Sequence, residues 1–122
     1  MADFTAVFDA LSALMQPYAA TLNVVRRDSR ELYLDTWHIQ KNKKPLFFGA
    51  VQVKKTYVAF HLMPVYVQPT LLDEVSPALK ACMQGKSCFN FTAVEPLLFA
   101  ELAQLTQRGF DSYVAAGCIA SS

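Results

Sequence analysis

Leu46-Phe47-Phe48-Gly49-Ala50-Val51-Gln52-Val53 and Thr56-Tyr57-Val58-Ala59-Phe60-His61-Leu62-Met63, separated by Lys54-Lys55, decide the architecture of this chain. Both runs are rich in the β-branched and aromatic residues that suit a pleated surface, and the intervening pair has the length of a two-residue hairpin connection. In the second run Tyr57, Ala59, His61 and Met63 fall on one face and Val58, Phe60 and Leu62 on the other, because strand side chains alternate. Both faces are largely apolar. Such a strand is expected to be covered twice, by helices on one face and by a long loop, a bound ligand or a second subunit on the other.

Working outward, the Lys-rich segment Lys41-Asn42-Lys43-Lys44-Pro45 reads as a solvated loop dividing this hairpin from an earlier one. Leu22 to Arg27 and Glu31 to Thr36 favour strands and flank the polar turn Asp28-Ser29-Arg30. Before them Phe4, Val7, Phe8, Leu11, Leu14 and Met15 repeat at helical spacing after Asp3, an N-cap residue, which predicts a helix to about Gln16, ahead of Pro17. On the other side, Val65 to Gln68 reads as extended between Pro64 and Pro69, and leads to the short run Thr70 to Glu74. Ser76-Pro77 opens a helix that Gly85 closes. Ser87 to Phe91 is a short strand with Phe89 and Phe91 on one face and Cys88 and Asn90 on the other. Thr92 or Glu95 then starts a last helix with Leu98, Leu102 and Leu105 along its buried stripe, closed by Gly109-Phe110, and the tail from Asp111 to Ser122 adds at most a turn or two. The expected architecture is a single α+β domain over residues 1–122, with an antiparallel sheet of about five strands flanked by helices in the order α-β-β-β-β-α-β-α.

The 122 residues suffice for one core, and the apolar residues, 53% of the chain, occur in short runs that do not reach the length of a membrane span. With no secretory signal visible in Met1-Ala-Asp-Phe-Thr5, the expected location is cytoplasmic, without a membrane partner. Cys82, Cys88 and Cys118 have the spacing of neither a disulfide framework nor paired metal ligands, so reduced thiols are expected. A net charge of +1 argues against nucleic acid, although residues 26–55 are locally basic.

The succession Phe47-Phe48-Gly49, Tyr57 to Tyr66, Ser76-Pro77-Ala78-Leu79-Lys80, Met83-Gln84-Gly85-Lys86-Ser87-Cys88-Phe89-Asn90-Phe91 and Leu98-Phe99-Ala100-Glu101-Leu102 resembles the YdhG-like family of small bacterial domains of unknown function, over roughly residues 40–112. The resemblance implies an antiparallel sheet flanked by helices. One branch of the family is described as frataxin-like intracellular iron chaperones, so iron is the cofactor it implies, with Asp73, Glu74 and Glu101 as candidate ligands. Weak iron sites use clustered hard oxygen donors, and here the carboxylates are sparse.

Other chemistry has thinner support in the residues. Gly85-Lys86-Ser87 imitates the end of a phosphate loop, but Lys80 stands where the motif needs glycine and the segment runs from helix to strand. Cys88 with Lys86 on its own face suggests a lowered thiol pKa, and pairing with His38 or His61 would give a small thiol- or histidine-dependent enzyme; no third orienting residue is evident. Aromatic residues beside the sheet suggest a surface for a small, partly apolar or anionic ligand. The leading expectation is a non-enzymatic module that binds a small ligand or a second copy of itself as a homodimer, through Trp37, Tyr57, His61, Lys86, Cys88 and Asn90. His61 and Asn90 would orient a polar group and Lys86 would supply charge.

Overall fold

The computed structural model describes residues 4–119. Helix α1 (Thr5–Ala19) is followed by strands β1 (Asn23–Arg27), β2 (Glu31–Ile39), β3 (Pro45–Val53) and β4 (Val58–Leu62). Two short helices, α2 (Met63–Val67) and α3 (Pro77–Lys80), with a 3-10 turn at Pro69–Leu72 between them, carry the chain to β5 (Cys88–Phe91) and the long helix α4 (Pro96–Ala115). The strands form one antiparallel five-stranded meander in the order β1-β2-β3-β4-β5. This is the expected α+β fold and element order.

Register assigns the two sheet faces. Leu32, Leu34, Val51, Phe60, Leu62, Phe89 and Phe91 point inward, where they meet Leu11 and Met15 of α1 and Leu102 and Leu105 of α4. The opposite face carries Glu31, Tyr33, Gln52, Ala50, Ala59, His61, Cys88 and Asn90. Helices α2 and α3 and the 3-10 turn all pack on α4, so the helical layer lies on one side of the sheet. The second cover expected for β4 is not required. Its outer face consists of Ala59 and His61, Met63 having turned away into α2, and Ala59, 1% exposed, stands between Gln52 and Asn90 in the two ladders.

Several boundaries move for local reasons. The expected cap Asp3 lies outside the described residues. Helix α1 passes through Pro17 and ends at Ala19. Pro17 sits on the exposed side of the helix, and the turn beyond it is held by Tyr18, whose hydroxyl donates to Gln107 Oε1 of α4 at 2.9 Å. The β3–β4 turn closes through the Lys54 amide donating to the Tyr57 carbonyl at 2.8 Å, so β4 begins at Val58 and not at Thr56. The segment after Pro64 is helical, since proline near a helix start is preorganised for that turn and Val65 is buried. The helix opened by Pro77 is only four residues long, ending at Lys80 well before Gly85, which keeps a positive φ of 81°.

Gly109 does not end α4. It lies inside the helix, where a Cβ would come within 3.0 Å of Pro64 Cβ, so it admits α2 against α4; the helix runs on to Ala115, and Gly117, with φ of 82°, follows its end. Gly49 does the same for α1: a Cβ there would lie 2.6 Å from Met15 Cε and 2.7 Å from the His61 carbonyl.

Candidate functional site

The outer face of the sheet holds a chain of polar contacts that crosses four strands. Its anchor is the β1–β2 turn, where Asp28 Oδ1 accepts the amides of Arg30 at 2.8 Å and Glu31 at 2.9 Å, as aspartate commonly does in tight turns. Arg26 Nε donates to Asp28 Oδ2 at 2.6 Å, and its Nη1 pairs with Glu31 Oε1 at 2.9 Å. The Gln52 amide group donates to Glu31 Oε2, and Gln52 Oε1 lies 3.1 Å from His61 Nε2. Glu31 and Gln52 are directly opposite in the β2–β3 ladder. Gln52 and His61 are diagonal neighbours across β3 and β4, a reach left open by Ala59, the direct partner of Gln52.

This chain fixes a tautomer. A carboxylate only accepts, so Glu31 takes the Gln52 NH₂ and turns the Gln52 carbonyl toward the imidazole. His61 must then donate from Nε2, and in the neutral ring Nδ1 is left as an acceptor. Burial first, and then the nearby Lys54 charge, push the His61 pKa below its ordinary value, which favours that neutral form; Glu31 acts weakly the other way.

Cys88 stands opposite His61 in the β4–β5 ladder. Because the Leu62 amide donates to the Ser87 carbonyl at 2.8 Å, the neighbouring His61 and Cys88 form a non-hydrogen-bonded pair, the closer of the two antiparallel types. Even so, the thiol does not engage the ring. Cys88 Sγ donates to Asn90 Oδ1 at 3.2 Å, which leaves the Asn90 NH₂ as a donor on the same face. Burial raises the Cys88 pKa, with Lys54 opposing more weakly, so the thiol is held protonated and is not an activated nucleophile.

Of the six residues expected to bind, the sheet brings together His61, Cys88 and Asn90. Tyr57 lies in the turn just before β4 and is half-buried, with its main chain closing the hairpin. Lys86 departs from expectation. It lies in the bend before β5, where strand alternation no longer applies, and its Nζ sits 5.9 Å from the Tyr66 ring centre; the charge that acts on Cys88 comes from Lys54. Trp37 also lies apart. His61 is level with Ala50 and Tyr33, and Trp37 is four residues further along β2, about 13 Å at strand rise, within the irregular stretch between Asp35 and Ile39. The stacked pair on this side of the sheet is Tyr33 with Phe47, ring centres 4.8 Å apart.

No local pattern in the sequence marks Arg26 or Glu31 as part of a site. Gln52 carried a signal, as the one polar side chain in the otherwise apolar run from Leu46 to Val53.

The candidate iron ligands have a structural setting. Both Glu101 oxygens accept from Ser76, Oε2 from its amide at 2.6 Å and Oε1 from its hydroxyl at 2.7 Å. Those bonds, side chain first, hold the Glu101 pKa below its ordinary value. Among the described residues no group of three or more His, Cys, Asp or Glu side chains is arranged to hold a metal.

Two grooves lie elsewhere. One of 250 Å³ runs between α1 and the β1–β2 turn and is lined by Asp9, Ser12, Gln16 and Arg27 among others; one of 410 Å³ lies at the start of α4 beside Leu97. Neither includes a residue of the polar chain beyond Asp28. Comparison with protein-family models, with curated proteins and with solved structures returns no match to this chain.

Proposed function

We propose that this chain is a YdhG-like, non-enzymatic binding module that holds a small ligand on the open face of its sheet, centred on His61 and Asn90. The observation that carries the reading is the polar chain from Arg26 through Glu31 and Gln52 to His61, which fixes one tautomer of a half-buried, neutral imidazole. The network leaves an acceptor at His61 Nδ1 and a donor at the Asn90 NH₂ on one sheet face, at diagonal positions of the β4–β5 ladder. An acceptor and a donor on one face suit a ligand group with the reverse pattern, such as an amide or lactam edge offering N–H and C=O together. Tyr57 and the stacked Tyr33 and Phe47 supply apolar contact for the rest of such a molecule.

A binding role fits these residues better than catalysis. The Cys88 thiol is kept protonated and donates to Asn90, and the imidazole is committed to Gln52, so neither is free to activate the other. Native mass spectrometry of freshly purified protein tests the proposal. A retained small-molecule mass in the wild type that is lost in His61→Ala and in Gln52→Ala, with both variants still folded, is the expected result. A wild type that retains no mass, or an adduct unaffected by both substitutions, overturns it; a bare dimer would assign the face to self-association.

A further inference from the structure

The β2–β3 hairpin outruns the rest of the sheet. The last residue of β2 paired with β1 is Asp35, and the first residue of β3 paired with β4 is Gly49. Beyond those points Thr36 to Ile39 and Pro45 to Phe48 have only each other as strand neighbours. The base of this ribbon is anchored, since Phe48 is buried and the Tyr113 hydroxyl donates to the Phe47 carbonyl at 3.0 Å. Its tip is not.

The tip exposes an unusual combination of side chains. Between the Asp35–Phe47 and Ile39–Pro45 pairs three residues of β2 face one of β3, and Thr36 holds this bulge by donating from Oγ1 to the Leu46 carbonyl at 2.8 Å. The bulge turns out Trp37, 68% exposed, and next to it stands Ile39, 59% exposed. Lys41, Lys43 and Lys44 follow at once, and none of them makes an ion pair among the described residues. The loop is nonetheless built. The Gln40 amide donates to the Lys44 carbonyl and the Lys43 amide to the Gln40 carbonyl, each at 2.9 Å, and the Lys44 amide donates to Asn42 Oδ1 at 2.9 Å. Lys43 occupies a left-handed position with φ of 68°, where glycine or asparagine would sit at less cost. No carboxylate occurs in the sequence from Thr36 to Leu72, so nothing acidic on the ribbon offsets the lysines.

We propose that this ribbon tip is a peripheral docking site for the surface of an anionic phospholipid bilayer, with Trp37 and Ile39 at headgroup level and the three lysines over the lipid phosphates. Charge complementarity and side-chain type select this occupant. Lysine is depleted at protein–protein interface cores, which argues against a protein partner. Nucleic-acid recognition favours the bidentate fork of arginine, and the ribbon has none. Tryptophan is enriched at the membrane interface, an aliphatic side chain gains by entering the acyl boundary, and lysines bury their stems there while their ammonium groups stay with the phosphates. Three lysines make a weak electrostatic anchor by themselves, and the Trp37 and Ile39 pair supplies the second signal that stable peripheral binding requires. Among the described residues no helix is long and apolar enough to cross a membrane, and contact with a bilayer surface needs none.

Trp37 is the sole tryptophan of the chain, so its fluorescence reports on this tip alone. The full chain is mixed with vesicles of phosphatidylcholine containing phosphatidylserine, with pure phosphatidylcholine vesicles, and with a single-stranded oligonucleotide. The expected result is co-sedimentation and a blue shift with the anionic vesicles only, reversed by salt. Replacing the three lysines by glutamine should weaken that binding on the order of a hundredfold, at about 1 kcal/mol for each lysine. The salt reversal tests the charge term without any variant, and an unchanged far-UV spectrum shows that the glutamine variant is folded. The proposal is overturned by absence of binding to anionic vesicles, by equal binding to neutral ones, or by a shift with the oligonucleotide alone. A blue shift that grows with protein concentration in the absence of vesicles overturns it in favour of a second copy of the chain.

Discussion

At the scale of single residues, His61 couples the sheet face to pH. Its folded pKa lies below the ordinary value of 6.5, so near neutral pH it is uncharged folded and unfolded alike and does not penalise folding. As pH falls through 6.5 the unfolded chain takes up a proton that the folded chain resists. Stability therefore declines through that window and levels off once pH is below the folded pKa. Denaturant midpoints measured from pH 7.5 down to about 5 should fall in the wild type and fall less in His61→Gln; parallel curves would remove His61 from the account. Cys88 gives a second test. Its raised pKa predicts alkylation near neutral pH slower than that of a free thiol. A faster rate would restore the thiol-enzyme reading. The identities on β5 were visible in the sequence because alternation alone puts Cys88 and Asn90 opposite Phe89 and Phe91. Their partners were not, since Glu31, Gln52 and His61 meet only after two ladders set their register.

At the scale of elements, the helix opened by Ser76-Pro77 shows a local signal completed from a distance. Ser76 Oγ accepts the Leu79 amide at 3.2 Å, the N-cap that the sequence predicts. Glu101, 25 residues later on α4, then accepts both from that hydroxyl and from the Ser76 amide. The cap thus joins α3 to α4. Ser76→Ala should lower stability by about 1 kcal/mol from the cap, and further because it strips one partner from Glu101. In a double-mutant cycle with Glu101→Gln the two losses should fall short of additive, as expected for side chains in direct contact; strict additivity would show that the two act separately. The same logic explains why α4 runs past Gly109. Gly109 followed by Phe110 has the form of a helix terminator, and no local rule reveals that Pro64 of another element needs the space a Cβ would fill.

At the scale of the molecule, one core joins α1 and α4 to the sheet, so unfolding should be a single cooperative transition. Leu105→Ala, at a fully buried position, is expected to cost about 2–5 kcal/mol and to shift that transition as a whole. Far-UV circular dichroism is the measurement to use, because Trp37 is exposed in the native state and its emission will change little on unfolding. Two separate transitions would mean that the helical layer and the sheet do not share their core. The sequence by itself determined the number and type of the main elements, the two hairpins of an antiparallel sheet and the alternating faces of β4 and β5. All of these follow from short-range rules: alternation, helical spacing, turn residues and a Ser-Pro helix start. Tertiary structure alone decided which strands outrun their neighbours, which way Lys86 and Trp37 point, and which polar groups join across the face. Those outcomes depend on register, bulges and close packing between residues far apart in sequence, and no local window contains them.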